Sequence, residues 1–152
     1  MPTAMPRLAR LTSGLAPFYL ILVISLAAML GSLFFSDIAG YLPCKLCWYQ
    51  RIAMYPLVAL SAVALLRRER GAAWYMLPLA LIGTVIALWH NIEYYLARFT
   101  PIDLDRCGLT GVSCTAPNLQ LLGFITIPLL SLVAFIIVDI ALFLLLQPER
   151  QS

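Results

Sequence analysis

The chain has 152 residues, of which 62% are hydrophobic and 11% are charged, and its mean hydropathy is +0.93. Charged residues make up about a quarter of an ordinary soluble domain, so this composition excludes a soluble globular protein. The formal net charge of +3 comes from ten basic and seven acidic residues scattered along the chain, which excludes a basic nucleic-acid-binding surface. The composition therefore predicts a membrane protein without a nucleic-acid partner.

Four apolar segments are long enough to cross a bilayer, which takes about 20 residues of helix. They are residues 15–35, 46–66, 71–92 and 119–146. Arg51 lies near the start of the second segment and Asp139 near the end of the fourth, whereas the other two segments carry no charge. We therefore expect an all-α protein with a single domain, residues 1–152, built as a bundle of four transmembrane helices.

The basic residues near the ends of the spans predict the orientation of the bundle. An even number of spans places both termini on one side, together with the turn Arg67-Arg68-Glu69-Arg70. This side carries six arginines, against four basic residues on the other side. Because basic residues are enriched in cytoplasmic loops, we expect both termini in the cytoplasm and the two longer connections, 36–43 and 93–118, outside it.

All four cysteines then lie on the extracytoplasmic side. Cys44 and Cys47 stand where the first outer loop meets the second span, and Cys107 and Cys114 stand in the second outer loop. Disulfides form and persist outside the bacterial cytoplasm. Two local pairs favour Cys44–Cys47 and Cys107–Cys114, although four cysteines allow three connectivities.

The first pair lies in the stretch PCKLCWYQR. A zinc site is not expected, because the second pair is separated by six residues and no histidine lies beside the pair in sequence. Covalent haem attachment needs a histidine where the chain has Trp48. A bridge between residues three apart closes almost no loop and makes a poor staple. The spacing favours a redox-active pair at a helix N-terminus, where the helix dipole stabilises a thiolate.

If the second helix begins at Pro43, Arg51 is predicted to share a helical face with this pair, because Cys44, Cys47 and Arg51 then fall within about 60° of arc. Arginine inside a membrane span is usually functional, the alternative being that it reaches out to lipid phosphates. The chain shows no motif for a nucleotide or iron–sulfur cofactor. A membrane quinone is therefore the predicted electron acceptor, with Arg51 stabilising negative charge on its oxygen.

Two further features of the chain leave alternatives open. His90 lies at the height of the predicted quinone site and is a further candidate for it, the alternative being a hydrogen-bonding residue at the membrane interface. Ile92, Leu96 and Phe99 recur at helical spacing, which indicates either a short helix on the membrane or an outward continuation of the third span.

The stretches PCKLCWYQRIAMYPL, CGLTGVSC and LLGFITIPLLSLVAF together resemble the DsbB family of membrane disulfide-bond formation proteins, most closely its short BdbC-like branch. The resemblance covers all four spans. It implies an enzyme of the bacterial cytoplasmic (inner) membrane that reoxidises a soluble, extracytoplasmic thioredoxin-fold oxidase, DsbA-like or BdbD-like. It further implies that the electrons pass to ubiquinone or menaquinone, which supports disulfide formation in exported proteins.

The same resemblance implies a role for each site residue. Cys44 and Cys47 correspond to the quinone-linked pair, with Cys47 nearest the quinone, and Arg51 corresponds to the arginine of the quinone site. Cys107 corresponds to the sulfur that forms the mixed disulfide with the partner, and Cys114 to its companion. Longer family members separate this second pair more widely. The alternatives are a non-enzymatic membrane protein with two structural disulfides and a reductive enzyme of the vitamin K epoxide reductase kind.

Overall fold

The computed structural model describes residues 5–40, 42–99, 120–121 and 125–147 of the chain. Its elements in chain order are α1 (Met5–Leu33), a π-helical turn (Phe34–Ile38), α2 (Lys45–Arg67), a 3-10 turn (Arg70–Ala72), α3 (Ala73–Phe99), β1 (Gln120–Leu121), β2 (Ile125–Thr126) and α4 (Ile127–Leu146). The two strands are two residues each and pair antiparallel.

Four helical segments are long and apolar enough to cross a membrane: Leu15–Ile38, Lys45–Arg67, Arg70–Ala97 and Ile127–Leu146. The predicted all-α architecture with four membrane-spanning helices is therefore confirmed. Helix α3 runs without a break to Phe99, so the residues after the third predicted span continue that helix instead of forming a separate one.

The fourth predicted span began too early. Helix α4 begins at Ile127, not at residue 119, because residues 120–121 pair with residues 125–126 as short strands. The Thr126 side chain caps the helix by accepting a hydrogen bond from the Leu129 amide at 3.3 Å, and Pro128 occupies the first turn, where it needs no amide partner. An apolar run alone did not distinguish these strands from helix.

The helices form a closed ring in which each contacts its neighbours in sequence, and α4 closes onto α1. Large apolar side chains meet along the middle of the ring; they include Phe18, Ile21, Leu57, Met76, Phe135 and Leu142, all fully buried. The outward faces carry exposed apolar residues such as Val23, Ile52 and Ile140. Lipid tails are as apolar as these side chains, so such faces suit a bilayer.

Close packing of α3 against α4 depends on small residues. Ala80, Gly83 and Ala87 are buried on α3, and a Cβ atom added at Gly83 would overlap the ring of Phe135 on α4. Small residues let membrane helices approach closely and gain packing contacts. Gly83 therefore provides the space that Phe135 occupies.

The same two helices share a polar contact inside the apolar bundle. Thr84 Oγ1 on α3 donates a hydrogen bond to Asp139 Oδ2 on α4 at 2.5 Å. Polar groups in a membrane span are costly unless they meet a partner. Thr84 thus supplies the partner for Asp139 that the sequence did not reveal, and links α3 to α4.

Candidate functional site

The cysteine pair lies at the N-terminus of α2. Cys44 is the N-cap residue with an extended backbone (φ −72°, ψ 172°), and its carbonyl accepts a hydrogen bond from the Trp48 amide at 3.2 Å. Cys47 lies in the first turn, where helix amides are unpaired and the dipole is positive. The two sulfur atoms lie 3.3 Å apart. The pair can therefore change between dithiol and disulfide with little backbone movement.

Arg51 lies one turn further along α2, as its spacing predicts, and is held inside the bundle. Its Nη2 donates a hydrogen bond to the Ser32 carbonyl at 2.8 Å, in the last turn of α1. Its guanidinium lies 5.4 Å from the centroid of the Trp48 ring. Both contacts favour a cation, because a helix C-terminus and an aromatic face are electronegative.

One donor of Arg51 is left over. Its Nε is buried and has no hydrogen-bond partner among the described residues. A buried donor without an acceptor costs about 1–3 kcal/mol, so an acceptor brought in by a ligand would be favoured.

Helix α3 brings His90 to the cysteine pair. His90 is 2% exposed, its Nε2 lies 3.8 Å from Cys44 Sγ, and its Nδ1 lies 3.1 Å from Gln50 Nε2. Gln50 and Cys44 are also buried, at 7% and 5% exposure. His90 is thus a buried residue beside the first cysteine and not an exposed residue at the membrane interface.

The geometry of the site bears on the prediction that no metal binds at the cysteine pair. The side-chain donor atoms of Cys44, Cys47 and His90 lie within 4.8 Å of one another, a spacing at which one metal ion could contact all three. The expectation of no metal relied partly on the lack of a neighbouring histidine in sequence, and the fold supplies one from another helix. The absence of a metal stays a prediction.

A cavity of about 430 Å³ opens beside the pair and is lined by residues of all four helices. Its lining is mainly apolar and includes Ile24, Ala28 and Met54, and its polar members include Arg51 and His90. Small-molecule sites typically combine this size with apolar walls and a few polar groups. The cavity suits a mostly apolar ligand that carries a hydrogen-bond acceptor.

Cys107 and Cys114 lie outside the described residues, so their predicted pairing and roles remain predictions.

Sequence reasoning missed two residues near the pair. The sequence assigns Gln50 no role in the motif. A buried amide in an apolar span needs a hydrogen-bond partner. The need for a partner is the signal that could have pointed to His90. Tyr55 shows no sequence signal that separates it from the packing residues of α2. It lines the cavity, and its buried hydroxyl has no hydrogen-bond partner in the described part of the chain.

Reversible thiol chemistry is what this arrangement supports, because adjacent sulfurs at a positive helix end readily exchange electrons and disulfides. The protein is a disulfide oxidoreductase of the membrane. The family model for disulfide bond formation protein DsbB matches residues 15–145, and the chain belongs to the DsbB family.

Similar proteins carry names in keeping with this assignment. The chain is 45% identical over 123 residues to disulfide bond formation protein C of Bacillus subtilis, covering 81% of this chain and 87% of that protein. It is 43% identical to a probable disulfide formation protein C of Halalkalibacterium halodurans, covering 82% and 89%. It is 37% identical to a probable disulfide formation protein of Coxiella burnetii, covering 79% and 80%. No solved structure gives a significant match.

Proposed function

We propose that this protein reoxidises a soluble, extracytoplasmic thioredoxin-fold thiol oxidase, DsbA-like or BdbD-like, and passes the electrons to a membrane quinone. The observation that carries the quinone assignment is the cavity beside the cysteine pair, with the side chain of Arg51 among its lining residues. A quinone carbonyl is an acceptor for a guanidinium donor, and the apolar walls match its ring. Membrane quinones, ubiquinone or menaquinone, are available at this depth of the bilayer.

The chemistry of the first pair balances as one two-electron step. The Cys44–Cys47 dithiol loses two electrons and two protons and becomes a disulfide, and the quinone gains both and becomes a quinol. Cys44 and Cys47 both line the cavity, and Cys47, one turn before Arg51 on α2, is proposed to be the sulfur nearest the acceptor. Arg51 contributes a fixed positive charge, held by Ser32 and Trp48, where negative charge develops on the quinone oxygen.

Quinone reduction by purified protein tests this proposal. In a variant with Cys107 and Cys114 both replaced by Ser, the Cys44–Cys47 pair is reduced chemically, freed of reductant and mixed with a soluble ubiquinone or menaquinone analogue. We expect loss of quinone absorbance and of both free thiols, and neither change after Cys47→Ser. A pair that stays reduced in excess quinone would rule out quinone as the acceptor.

The second pair is proposed to receive electrons from the soluble oxidase. A thiolate of the reduced oxidase attacks Cys107 and forms a mixed disulfide, and Cys114 leaves as a thiolate. The second cysteine of the oxidase then breaks the mixed disulfide, which releases the oxidised oxidase and leaves Cys107 and Cys114 reduced. Exchange with the Cys44–Cys47 disulfide restores the Cys107–Cys114 disulfide and leaves Cys44 and Cys47 as a dithiol. A partner variant that lacks its resolving cysteine should stay linked to the wild type through a mixed disulfide, and peptide mapping of the complex should assign the link to Cys107. Trapping at Cys114 would reverse the two roles.

The site of action is proposed to be the bacterial cytoplasmic membrane, with the active cysteines facing outward. Four membrane-spanning segments and the membership of the family support a membrane location. Disulfide chemistry needs a compartment in which thiols are not kept reduced, and this favours the outer face.

A further inference from the structure

Three buried polar side chains form a chain of contacts from α2 across to α3 and back: Gln50, His90 and Cys44. The proposed function uses Cys44 but gives no role to Gln50. At 7% exposure inside an apolar bundle, the amide of Gln50 is costly to bury unless it is hydrogen-bonded. Its contact with the ring of His90 offsets that cost and fixes the geometry of the ring.

The direction of the hydrogen bond selects one form of the imidazole. Gln50 Nε2 is an amide nitrogen and can only donate, so His90 Nδ1, 3.1 Å away, must accept. A neutral ring whose Nδ1 accepts carries its proton on Nε2. That Nε2 is the atom 3.8 Å from Cys44 Sγ, within the long reach of an N–H donor to sulfur.

We propose that Gln50 is a positioning residue that holds His90 as its Nε2–H tautomer, so that His90 donates to Cys44 and stabilises the thiolate of that sulfur. This inference rests on the proposed function, in which Cys44 must act as a thiolate when the disulfide with Cys47 re-forms. A hydrogen bond to a charged group is stronger than one to a neutral group, so the donor favours thiolate over thiol. His90 touches a reacting atom and is the catalytic residue of the two.

The buried position of Cys44 explains why its thiolate needs the hydrogen bond from His90. Cys44 is buried at 5% exposure, and burial in apolar surroundings disfavours a thiolate. Cys47 differs, because it is half-buried and lies in the first turn of α2, one turn before Arg51. The two sulfurs therefore have separate supports, with Cys44 stabilised by α3 and Cys47 by α2.

The chain contains one histidine, so its tautomer can be read directly. In protein labelled with 15N-histidine, a protonated and an unprotonated ring nitrogen give widely separated chemical shifts. We expect the reduced wild type to show an unprotonated Nδ1 and a protonated Nε2. Gln50→Leu, which removes the donor, should shift the signals towards a tautomer mixture, and Gln50→Glu, which can only accept, should place a proton on Nδ1.

A second experiment measures the effect of Gln50 on the thiolate fraction of Cys44. With Cys47, Cys107 and Cys114 replaced by Ser, Cys44 is the one remaining thiol, and its alkylation rate at fixed pH follows its thiolate fraction. We expect Gln50→Leu to slow alkylation about tenfold, the size expected for losing a hydrogen bond to a charged group. Asn91→Leu is the matched control, because it removes a neighbouring buried amide that donates to Pro128 and Ala87 carbonyls, and it should leave both readouts unchanged.

Several results would overturn the inference: an Nδ1–H or doubly protonated ring in the wild type, or 15N shifts that Gln50→Leu and Gln50→Glu leave unchanged. Because neither readout involves quinone or the soluble oxidase, a failure here is distinguishable from a failure of the proposed function. If the tautomer is as expected but the pair does not reduce quinone, the proposed function fails alone.

Discussion

Arg51 illustrates how one residue can be costly for the fold and informative about function. Its guanidinium lies in an apolar span, and two of its contacts, the Ser32 carbonyl and the Trp48 ring, offset part of the cost of placing it there. A further donor, Nε, is buried without a partner in the part of the chain that the structure describes. The place of Arg51 in the lining of the cavity beside the cysteine pair is a feature that stability does not require, and it points to function.

Replacing Arg51 by Met should weaken the use of quinone while leaving the cysteine pair in place. The variant loses a cation and its donors at the cavity, and hydrogen bonds to developing charge are worth roughly 1.5–3 kcal/mol. We expect kcat/KM for quinone to fall about 10- to 100-fold, measured with the chemically reduced pair. Arg67→Met, at the exposed far end of the same helix, is the control and should change nothing; an equal loss in both variants would contradict the assignment.

The members of the site could be predicted where they lie close together in sequence. A member contributed by a different helix could not. Cys47 and Arg51 lie on α2 and Cys44 is its N-cap, so their spacing in one short stretch of the chain was enough to predict that they lie near one another. His90 is separated from Gln50 by 40 residues, and a single sequence does not show which faces of two helices meet. The pairing of Gln50 with His90 therefore required the packed bundle.

At the scale of elements, hydropathy located the four spans because each is long and apolar, but it did not locate every boundary. The predicted start of the fourth span was wrong, because residues 120–121 and 125–126 lie in an apolar run but form short strands. The helix begins where Thr126 caps it and Pro128 fits the first turn. The spacing of small residues on α3 carries information of a different kind. This spacing indicates how closely α4 can approach α3, and hydropathy carries no information on that distance.

Gly83→Ala should destabilise the contact between α3 and α4. The new methyl group would overlap the Phe135 ring, so the ring or the helix must move, and overpacking of this kind costs about 1–3 kcal/mol. Thermal unfolding in detergent should show a lower midpoint. Gly31→Ala in α1 is the matched control, because an added Cβ there meets nothing within 4 Å, and removing a helical glycine is favourable by up to about 1 kcal/mol. Equal midpoints in the two variants would contradict the close approach.

At the scale of the whole molecule, the ring of four helices explains how a membrane protein assembles a reactive site at one end of a bundle. Helix α2 provides the cysteines and Arg51, α3 provides His90, and α1 provides the Ser32 carbonyl. Together with α4, these helices enclose the cavity. The site therefore depends on packing among several helices, and no single span could form it.

The orientation of the bundle decides whether this site can work as proposed, and it can be measured. In single-cysteine variants in intact cells, a membrane-impermeant maleimide should label native Cys107 but not Glu69→Cys, which lies in the turn between α2 and α3 beside three arginines. Translocating that basic turn is disfavoured, whereas the loop with Cys107 carries few basic residues. Permeabilised cells provide the control, since both positions should then react. The reverse pattern would place the second cysteine pair in the cytoplasm, where thiols are kept reduced, and would contradict both the predicted topology and the proposed reoxidation of an extracytoplasmic partner.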